Sequence, residues 1–303
     1  MALLALAGCA RAPQSSAPPK PPITAMPADD LERAVPLKAP AQRVVCIGPG
    51  ATETIFALGA EDKLVGRDQF SDYPKAALKV PVVGDFSGPF PEKVVALRPD
   101  LVVVQGETYD KARAQLWEKK IGAPVAVLAA TTVDGVERDI EKIGAWLGVA
   151  ERVAEVTRDF PSHQKAPGYM SARAWSVFFE VQRSPLWAAG KGTLIDSVLR
   201  TVGLANVADI EGYKPFNIET LLAQNPEFYI TAAPHPDAKR IIKELQNAPG
   251  LKNLECIRSG RVVVLDWDLL SRPGPRLPLG IRDLHSQIAR LANRDLKEPG
   301  ELQ

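Results

Sequence analysis

The chain has 303 residues, of which 46% are hydrophobic and 24% are charged, an ordinary composition for a globular protein of more than one domain. Its formal net charge of +1 argues against a nucleic-acid-binding protein, which usually carries a basic stripe. The sequence has no C-x-x-C, H-E-x-x-H or P-loop pattern, and its three histidines are far apart. Composition and motifs therefore indicate no nucleic-acid partner and no metal site.

The first residues, MALLALAGC, form an apolar run that ends at Cys9. This run resembles a bacterial lipobox, although no basic residue precedes it, so we expect Cys9 to be lipidated and to anchor the chain outside the cytoplasmic membrane. The alternative is a short frayed apolar terminus. Because the following segment is rich in Pro, Ala and Ser, residues 1–40 are predicted to be a signal remnant and a flexible tether.

From residue 43 short apolar runs alternate with helical patterns. The predicted strands are 43–48, 63–66, 100–105 and 124–129, and the predicted helices are 51–59, 91–98 and 109–122. Apolar strands separated by helices are typical of a parallel sheet covered on both faces. Residues 41–132 are therefore predicted to form an N-terminal α/β lobe.

After Thr132 the pattern becomes helical. Val136, Ile140, Ile143 and Leu147 share one helix face before Gly148 interrupts the pattern, so residues 133–168 are predicted to be a connecting helical region. Alternation then resumes, with strands predicted at 174–181, 227–232 and 261–266 and helices at 193–203, 218–224, 237–246 and 278–293. Residues 169–303 are predicted to form a C-terminal α/β lobe.

One short sequence motif occurs in each of the two predicted lobes. FPEKVVALRPDLVVV at 90–104 and FNIETLLAQNPEFYIT at 216–231 both place a glutamate at the start of a helix and a Pro-acid pair before a strand. The glutamates are Glu92 and Glu219, and the second acids are Asp100 and Glu227. One helix–strand unit in each lobe indicates a duplicated architecture.

Six stretches in this order resemble class III substrate-binding proteins of ABC importers, the group that captures cobalamin, haem and iron-siderophores. They are CIGPGATETIFALGAEDKLVG, FSDYP, VVGDFSGPFPEKVVALRPDLVVV, SPLWAAGKGTLID, FNIETLLAQNPEFYIT and GRVVVLDWDLLSRPGPR, and the resemblance runs from about Arg43 to about Ala292. It implies an α/β fold with two Rossmann-like lobes, a long connecting helix and a ligand cleft between the lobes. It also implies a monomer that is not an enzyme, has no catalytic cofactor and delivers its ligand to a permease dimer with ATPase subunits.

FSDYP is most similar to the cobalamin-binding members, and the resemblance assigns cleft aromatics to Phe70, Phe86, Trp187 and Tyr213. These residues lie in loops beside predicted strand ends, where α/β folds bind ligands, although core positions are the alternative. Four aromatic rings suit a large, flat ligand, so the expected ligand is cobalamin or a related corrinoid. Gln105 stands where a tryptophan can occur, which keeps haem and ferric siderophores as alternatives.

Two further pairs of candidates follow. Asp268 or Arg272, in WDLLSRPGPR, is a candidate for hydrogen bonds to the ligand, and a solvated loop is an equally good interpretation. The resemblance implies that Glu92 and Glu219 dock onto arginines of the two permease subunits. A carboxylate at a helix start is also favoured by the helix dipole, so capping alone would explain both.

A nucleotide-using α/β enzyme is the alternative from another functional class. Gly48 and Gly50 open a helix after a strand, and Asp68 follows at a distance that partly matches a dinucleotide fingerprint. Glu53 occupies the place of the third glycine, however, and no nucleophile–base pair is evident. Cys46 and Cys256 are expected to be free, buried thiols.

Overall fold

The computed structural model describes residues 26–163 and 174–295, so Cys9 lies outside the described residues. The N-terminal lobe is a six-stranded sheet in the order β4-β3-β2-β1-β5-β6, parallel except for β4. Its strands are β1 (Val44–Ile47), β2 (Leu64–Asp68), β3 (Val82–Asp85), β4 (Gly88–Pro89), β5 (Leu101–Gln105) and β6 (Val125–Leu128). Its helices are α1 (Pro49–Ala57), α2 (Pro91–Ala96) and α3 (Lys111–Ile121).

The connecting region begins with the long helix α4 (Val133–Leu147). The hydroxyl of Thr132 accepts a hydrogen bond from the Gly135 N–H at 2.9 Å and so caps the helix start. Gly148, with φ of 69°, ends the helix in the left-handed conformation that glycine adopts without strain. A short α5 (Val153–Thr157) follows. The connector therefore contains two helices, and because it is interrupted at Gly148 it is not one continuous helix.

The C-terminal lobe contains a second six-stranded sheet in the order β10-β8-β7-β11-β12, with β9 beside β7. Its strands are β7 (Ser176–Gln182), β8 (Trp187–Ala189), β9 (Ala205–Asn206), β10 (Tyr213–Pro215), β11 (Phe228–Ala233) and β12 (Val262–Asp266). Its helices are α6 (Leu194–Thr201), α7 (Ile218–Gln224), α8 (Ala238–Asn247), α9 (Glu255–Arg258), α10 (Trp267–Ser271) and α11 (Leu277–Asp295). The two α/β sheets confirm the predicted fold class.

One hydrophobic cluster runs through both lobes. It contains Val44 and Cys46 of the N-terminal sheet and Val177 and Phe179 of the C-terminal sheet. The helices between the sheets add, among others, Ile55 of α1, Ile140 of α4, Ile195 of α6 and Ile281 of α11. The alternate residues of β1 and β7 belong to two separate clusters, on the other faces of the sheets. Each sheet is thus covered on both faces, and the two lobes share a core.

The repeated sequence motif forms the same local structure in each lobe. Glu92 is the second residue of α2, Glu219 is the second residue of α7, and both side chains are exposed. The Asp100 carboxylate accepts hydrogen bonds from the backbone N–H groups of Gln42 and Arg43, at 2.8 and 2.9 Å, just before β1. In the other lobe, Glu227 accepts from the backbone N–H of Ser176 at 2.9 Å, at the start of β7. The second acidic residue of each motif therefore holds the start of a central strand in place.

Residues 26–40 correct the predicted tether. The Asp30 N–H donates to the Val127 carbonyl at 2.9 Å, and Asp29 accepts from the Val127 N–H at 3.1 Å, so this segment covers the outer edge of β6. The Trp146 indole donates to the Pro27 carbonyl at 3.0 Å, and Val35 is buried in the shared core. The Pro-rich composition suggested a flexible chain because it shows no periodicity, yet specific hydrogen bonds hold this segment on the lobe.

Both cysteines of the folded body are free and buried, as predicted. Burial raises the pKa of Cys46 to about 12 and that of Cys256 to about 11, so neither thiol is ionised near neutral pH. Among the described residues, no helix is long and apolar enough to cross a membrane.

Candidate functional site

Gln105, at the carboxyl end of β5, connects the two lobes. Its side-chain oxygen accepts a hydrogen bond from the Ala51 N–H at 2.8 Å, and its amide nitrogen donates to the Pro273 carbonyl at 2.8 Å. Pro273 lies between α10 and α11, in the C-terminal lobe. The sequence indicated Gln105 as a ligand contact, but its polar groups are engaged at the lobe interface.

Two glycines allow the backbones of the lobes to meet beside this amide. A Cβ atom on Gly50 would lie 2.2 Å from the Pro273 carbonyl oxygen, and a Cβ atom on Gly274 would lie 2.8 Å from the Gly50 carbonyl oxygen. Any larger residue at either position would push the lobes apart. The glycine-containing turn at the start of α1 is therefore occupied by protein backbone from the other lobe.

Asp68 organises the loop that carries Phe70. Its carboxylate accepts hydrogen bonds from the backbone N–H groups of Gly48, Phe70 and Ser71 at 2.7, 2.7 and 3.1 Å, and from the Ser71 hydroxyl at 2.5 Å. The residue is only 2% exposed. Since both oxygens are already bonded, Asp68 is not free to bind a ribose, and the dinucleotide interpretation loses its acidic residue.

A cluster of charges closes the lobe interface next to Gln105. Glu53 of α1 accepts two hydrogen bonds from the Arg276 guanidinium, at 2.6 and 2.7 Å, and its side chain is 2% exposed. Arg272 contacts Asp72 of the N-terminal lobe at 2.6 Å and Asp268 of its own lobe at 3.0 Å. Arg276 also lies over the Tyr73 ring, 3.8 Å from its centroid. We call these residues the interlobe ion cluster.

The pKa shifts in this cluster have clear causes. Burial acts to lower the pKa of Arg272, but the hydrogen bond and charge of Asp72 leave it raised. Partial burial likewise opposes ionisation of Asp72, yet Arg272 holds the pKa of that carboxyl below its usual value. Both groups are therefore charged near neutral pH. The predicted ligand contacts Asp268 and Arg272 are paired with protein charges, and their contact with a ligand stays a prediction.

The predicted aromatic residues lie at the surface. Phe86 is 78% exposed, Phe70 is 45% exposed, and their ring centroids are 6.4 Å apart. Tyr213 of β10 is 36% exposed, and Trp187 of β8, which pairs with Pro215 of β10, is partly exposed. The exposure of Phe70, Phe86 and Tyr213 argues against core positions for these three rings, whereas Trp187 is only partly exposed. Trp187 and Tyr213 lie in short strands and not in loops, so the prediction of loops at these two positions was wrong.

Sequence reasoning missed the loop that follows Gln105. Tyr109 is buried, packs edge-on against Trp117 at 5.2 Å, and donates a 3.5 Å hydrogen bond to the Phe86 carbonyl. The exposed Glu107 precedes it in the same loop. Neither residue belongs to a stretch that showed the resemblance, so only their position after a strand could have indicated them.

The described histidines do not form a metal site. His163 pairs with Glu137 of α4 at 2.5 Å, and His235 lies 4.0 Å from Asp266 at the end of β12. Among the described residues, no group of three or more His, Cys, Asp and Glu side chains could hold a metal ion.

The chain matches a family model described as periplasmic binding protein over residues 44–269. It is 30% identical over 302 residues to an uncharacterized ABC transporter substrate-binding lipoprotein, YvrC, of Bacillus subtilis, covering 95% of this chain and 94% of that protein. It is 29% identical to a vitamin B12-binding protein of Salmonella typhimurium, covering 83% of this chain and 91% of that protein. A solved periplasmic haem-binding protein from Pseudomonas aeruginosa aligns with a TM-score of 0.70 and 32% identity, covering 82% of this chain and 92% of that chain.

The interlobe ion cluster predicts an effect on stability. Glu53→Gln should lower the free energy of unfolding by about 2–3 kcal/mol, because it removes the carboxylate that neutralises Arg276 at a largely buried position. Urea denaturation at neutral pH would measure the change. The matched control is Asp209→Asn, which breaks the exposed Lys191–Asp209 pair and should leave the unfolding midpoint almost unchanged. Equal stability of the Glu53 variant and the wild type would contradict this role.

Proposed function

The chain belongs to the periplasmic binding protein family, and we propose that it captures cobalamin or a related corrinoid and delivers it to an ABC importer. The observation that carries this proposal is a pair of neighbouring exposed rings: Phe70, on the loop that Asp68 holds in place, and Phe86, in the turn between β3 and β4. Exposed apolar patches on a soluble protein commonly mark a binding surface. A flat macrocycle would cover both rings, and one relative is named a vitamin B12-binding protein.

The cleft residues divide into two groups in this proposal. Phe70, Phe86, Trp187 and Tyr213 contact the macrocycle through their exposed rings. The other three candidates are Gln105, Asp268 and Arg272, whose polar groups bond within and across the lobe interface and form the closed side of the cleft. The protein carries out no chemistry and needs no catalytic cofactor. Haem and ferric siderophores are the alternative ligands, since a similar solved structure is a haem-binding protein.

Removal of the exposed rings tests the ligand proposal. The double variant Phe70→Ala, Phe86→Ala should weaken corrinoid binding by roughly 1–3 kcal/mol per ring, with only a modest loss of stability because Phe86 is 78% exposed and Phe70 is 45% exposed in the free protein. Equilibrium dialysis with a corrinoid, haem, a ferric siderophore and NAD in parallel would measure both affinity and selectivity. The control is Leu78→Ala, Leu116→Ala, which removes two exposed apolar side chains outside the proposed site. Unchanged corrinoid affinity in the phenylalanine variant would refute the proposed contacts.

We further propose that Glu92 and Glu219 dock onto the permease dimer, one glutamate for each subunit. The support is their equivalent position: each is the exposed second residue of a short helix in one of two similar lobes. Two matching carboxylates suit a partner with two-fold symmetry, and complementary charge across an interface sets the orientation of docking.

Charge reversal separates docking from ligand binding. Glu92→Arg with Glu219→Arg should leave corrinoid affinity nearly unchanged but strongly reduce uptake, because like charges brought together at an interface cost several kcal/mol. Each single reversal should give a partial loss. Uptake by the importer reconstituted in vesicles, beside ligand binding by the free protein, is the measurement. The control, Glu61→Arg with Glu151→Arg, makes the same change in net charge at two other exposed glutamates. Wild-type uptake by the Glu92 and Glu219 variant would reduce these carboxylates to helix caps.

We also propose an extracytoplasmic location with a lipid anchor on Cys9, supported by the lipobox-like sequence and by a relative named as a lipoprotein. Residues 26–40 are held on the N-terminal lobe and are therefore not part of a flexible tether. In a bacterial host, Cys9→Ser should move the protein from the membrane fraction to the soluble fraction, since stable anchoring requires acyl chains. Retention equal to the wild type would exclude this anchor.

A further inference from the structure

Glu107 lies in the loop between β5 and α3, which is held at both ends. At one end Gln105 bonds to Pro273 of the other lobe at 2.8 Å, and at the other end the Tyr109 hydroxyl bonds to the Phe86 carbonyl at 3.5 Å. The loop therefore lies between the lobe interface and the exposed Phe70–Phe86 rings. It carries two exposed acidic residues, Glu107 and Asp110, and Asp110 is engaged as the N-cap of α3.

The negative charge of Glu107 reaches the opposite lobe. Burial raises the pKa of Tyr213 to about 12, and the charge of Glu107 adds to that effect. Partial removal from bulk water also raises the pKa of Glu107 itself. Tyr213 belongs to β10 of the C-terminal lobe and Glu107 follows β5 of the N-terminal lobe, so this electrostatic effect acts across the lobe interface.

Within residues 26–163 and 174–295, no positive charge is paired with the Glu107 carboxylate. Among the described residues, no ion pair or hydrogen bond involves the Glu107 side chain, and no basic residue shifts its pKa. The arginines nearest the cleft already have partners: Arg276 binds Glu53, Arg272 binds Asp72 and Asp268, and Arg113 donates to the Ser87 carbonyl and stacks on Tyr109. A ligand in the cleft therefore meets an unpaired acceptor.

We propose that Glu107 determines ligand specificity by accepting hydrogen bonds from amide N–H groups at the rim of the ligand and by repelling macrocycles whose rim carries carboxylates. This inference rests on the proposed function. A corrinoid carries neutral amide side chains, whereas haem carries two propionates. Ionised Glu107 can only accept hydrogen bonds, so an amide satisfies it and a second carboxylate does not. Repulsion between like charges in a partly dehydrated cleft favours the amide-bearing ligand.

The test compares ligands that differ only in charge. The first pair is cyanocobalamin and its monocarboxylic acids, in which one peripheral amide is replaced by a carboxylate. The second pair is haem dimethyl ester and haem. Dissociation constants of both pairs are measured for the full chain, for Glu107→Gln and for the control Glu61→Gln, an exposed glutamate on another surface turn.

The wild type and Glu61→Gln should bind the neutral member of a pair about tenfold more tightly than the acidic member. Glu107→Gln should reduce that ratio to about threefold or less, while its affinity for the neutral member changes little, because the glutamine oxygen still accepts hydrogen bonds. An unchanged ratio in Glu107→Gln, or equal binding of both members by the wild type, would overturn the inference. Binding of the haem pair alone, with the predicted charge effect, would refute the corrinoid proposal and the hydrogen bond from an amide, and would leave only the repulsion of carboxylates by Glu107. Binding of none of the four probes would overturn both.

Discussion

The hydrophobic cluster shared by the two lobes is the constraint on which the remaining structure depends. Val44 and Phe179, from different sheets, belong to the same buried cluster, and α4 contributes Ile140 to it. Separating the lobes would expose this apolar surface to water, at about 25 cal/mol for each Å². The interruption of the connector at Gly148 therefore does not imply a hinge, because the shared core, and not helix continuity, keeps the lobes together.

The polar interface is aligned by this shared core. Packing brings α1 against the α10–α11 segment, and only then do Glu53 and Arg276 meet across 223 positions of sequence. A buried carboxylate is unfavourable without its partner, so the pair tolerates few other arrangements of the lobes. The same contact carries Tyr73 and Asp72, which belong to the loop of Phe70. The relative orientation of the two lobes therefore helps to set the position of the loop that carries Phe70.

The sequence was sufficient for the long elements, whereas ligand contact by the four aromatic residues stays a prediction. Strands such as β1, β5 and β11 are continuous apolar runs, and α7 lies at the predicted residues 218–224. The strands β4, β8, β9 and β10 were missed because two or three residues are too few to show a periodicity, and the four-residue strand β3 was missed as well. The segment 26–40 was mispredicted because its order comes from hydrogen bonds made by Asp29 and Asp30, not from apolar burial alone. The partners of Gln105 and Glu53 are in the other lobe, and no local pattern identifies them.

The shared core also has a consequence for the proposed docking onto the permease. Under the proposed docking of Glu92 and Glu219, the shared core predicts that the distance between the two carboxylates changes little when a ligand binds, because separating the lobes would expose apolar surface to water. A permease that contacted only these two carboxylates could not distinguish the ligand-bound protein from the ligand-free protein. The ligand-free protein would then compete for the same docking site. Any discrimination must then come from the loops around the cleft, where a bound molecule changes the surface that the transporter meets.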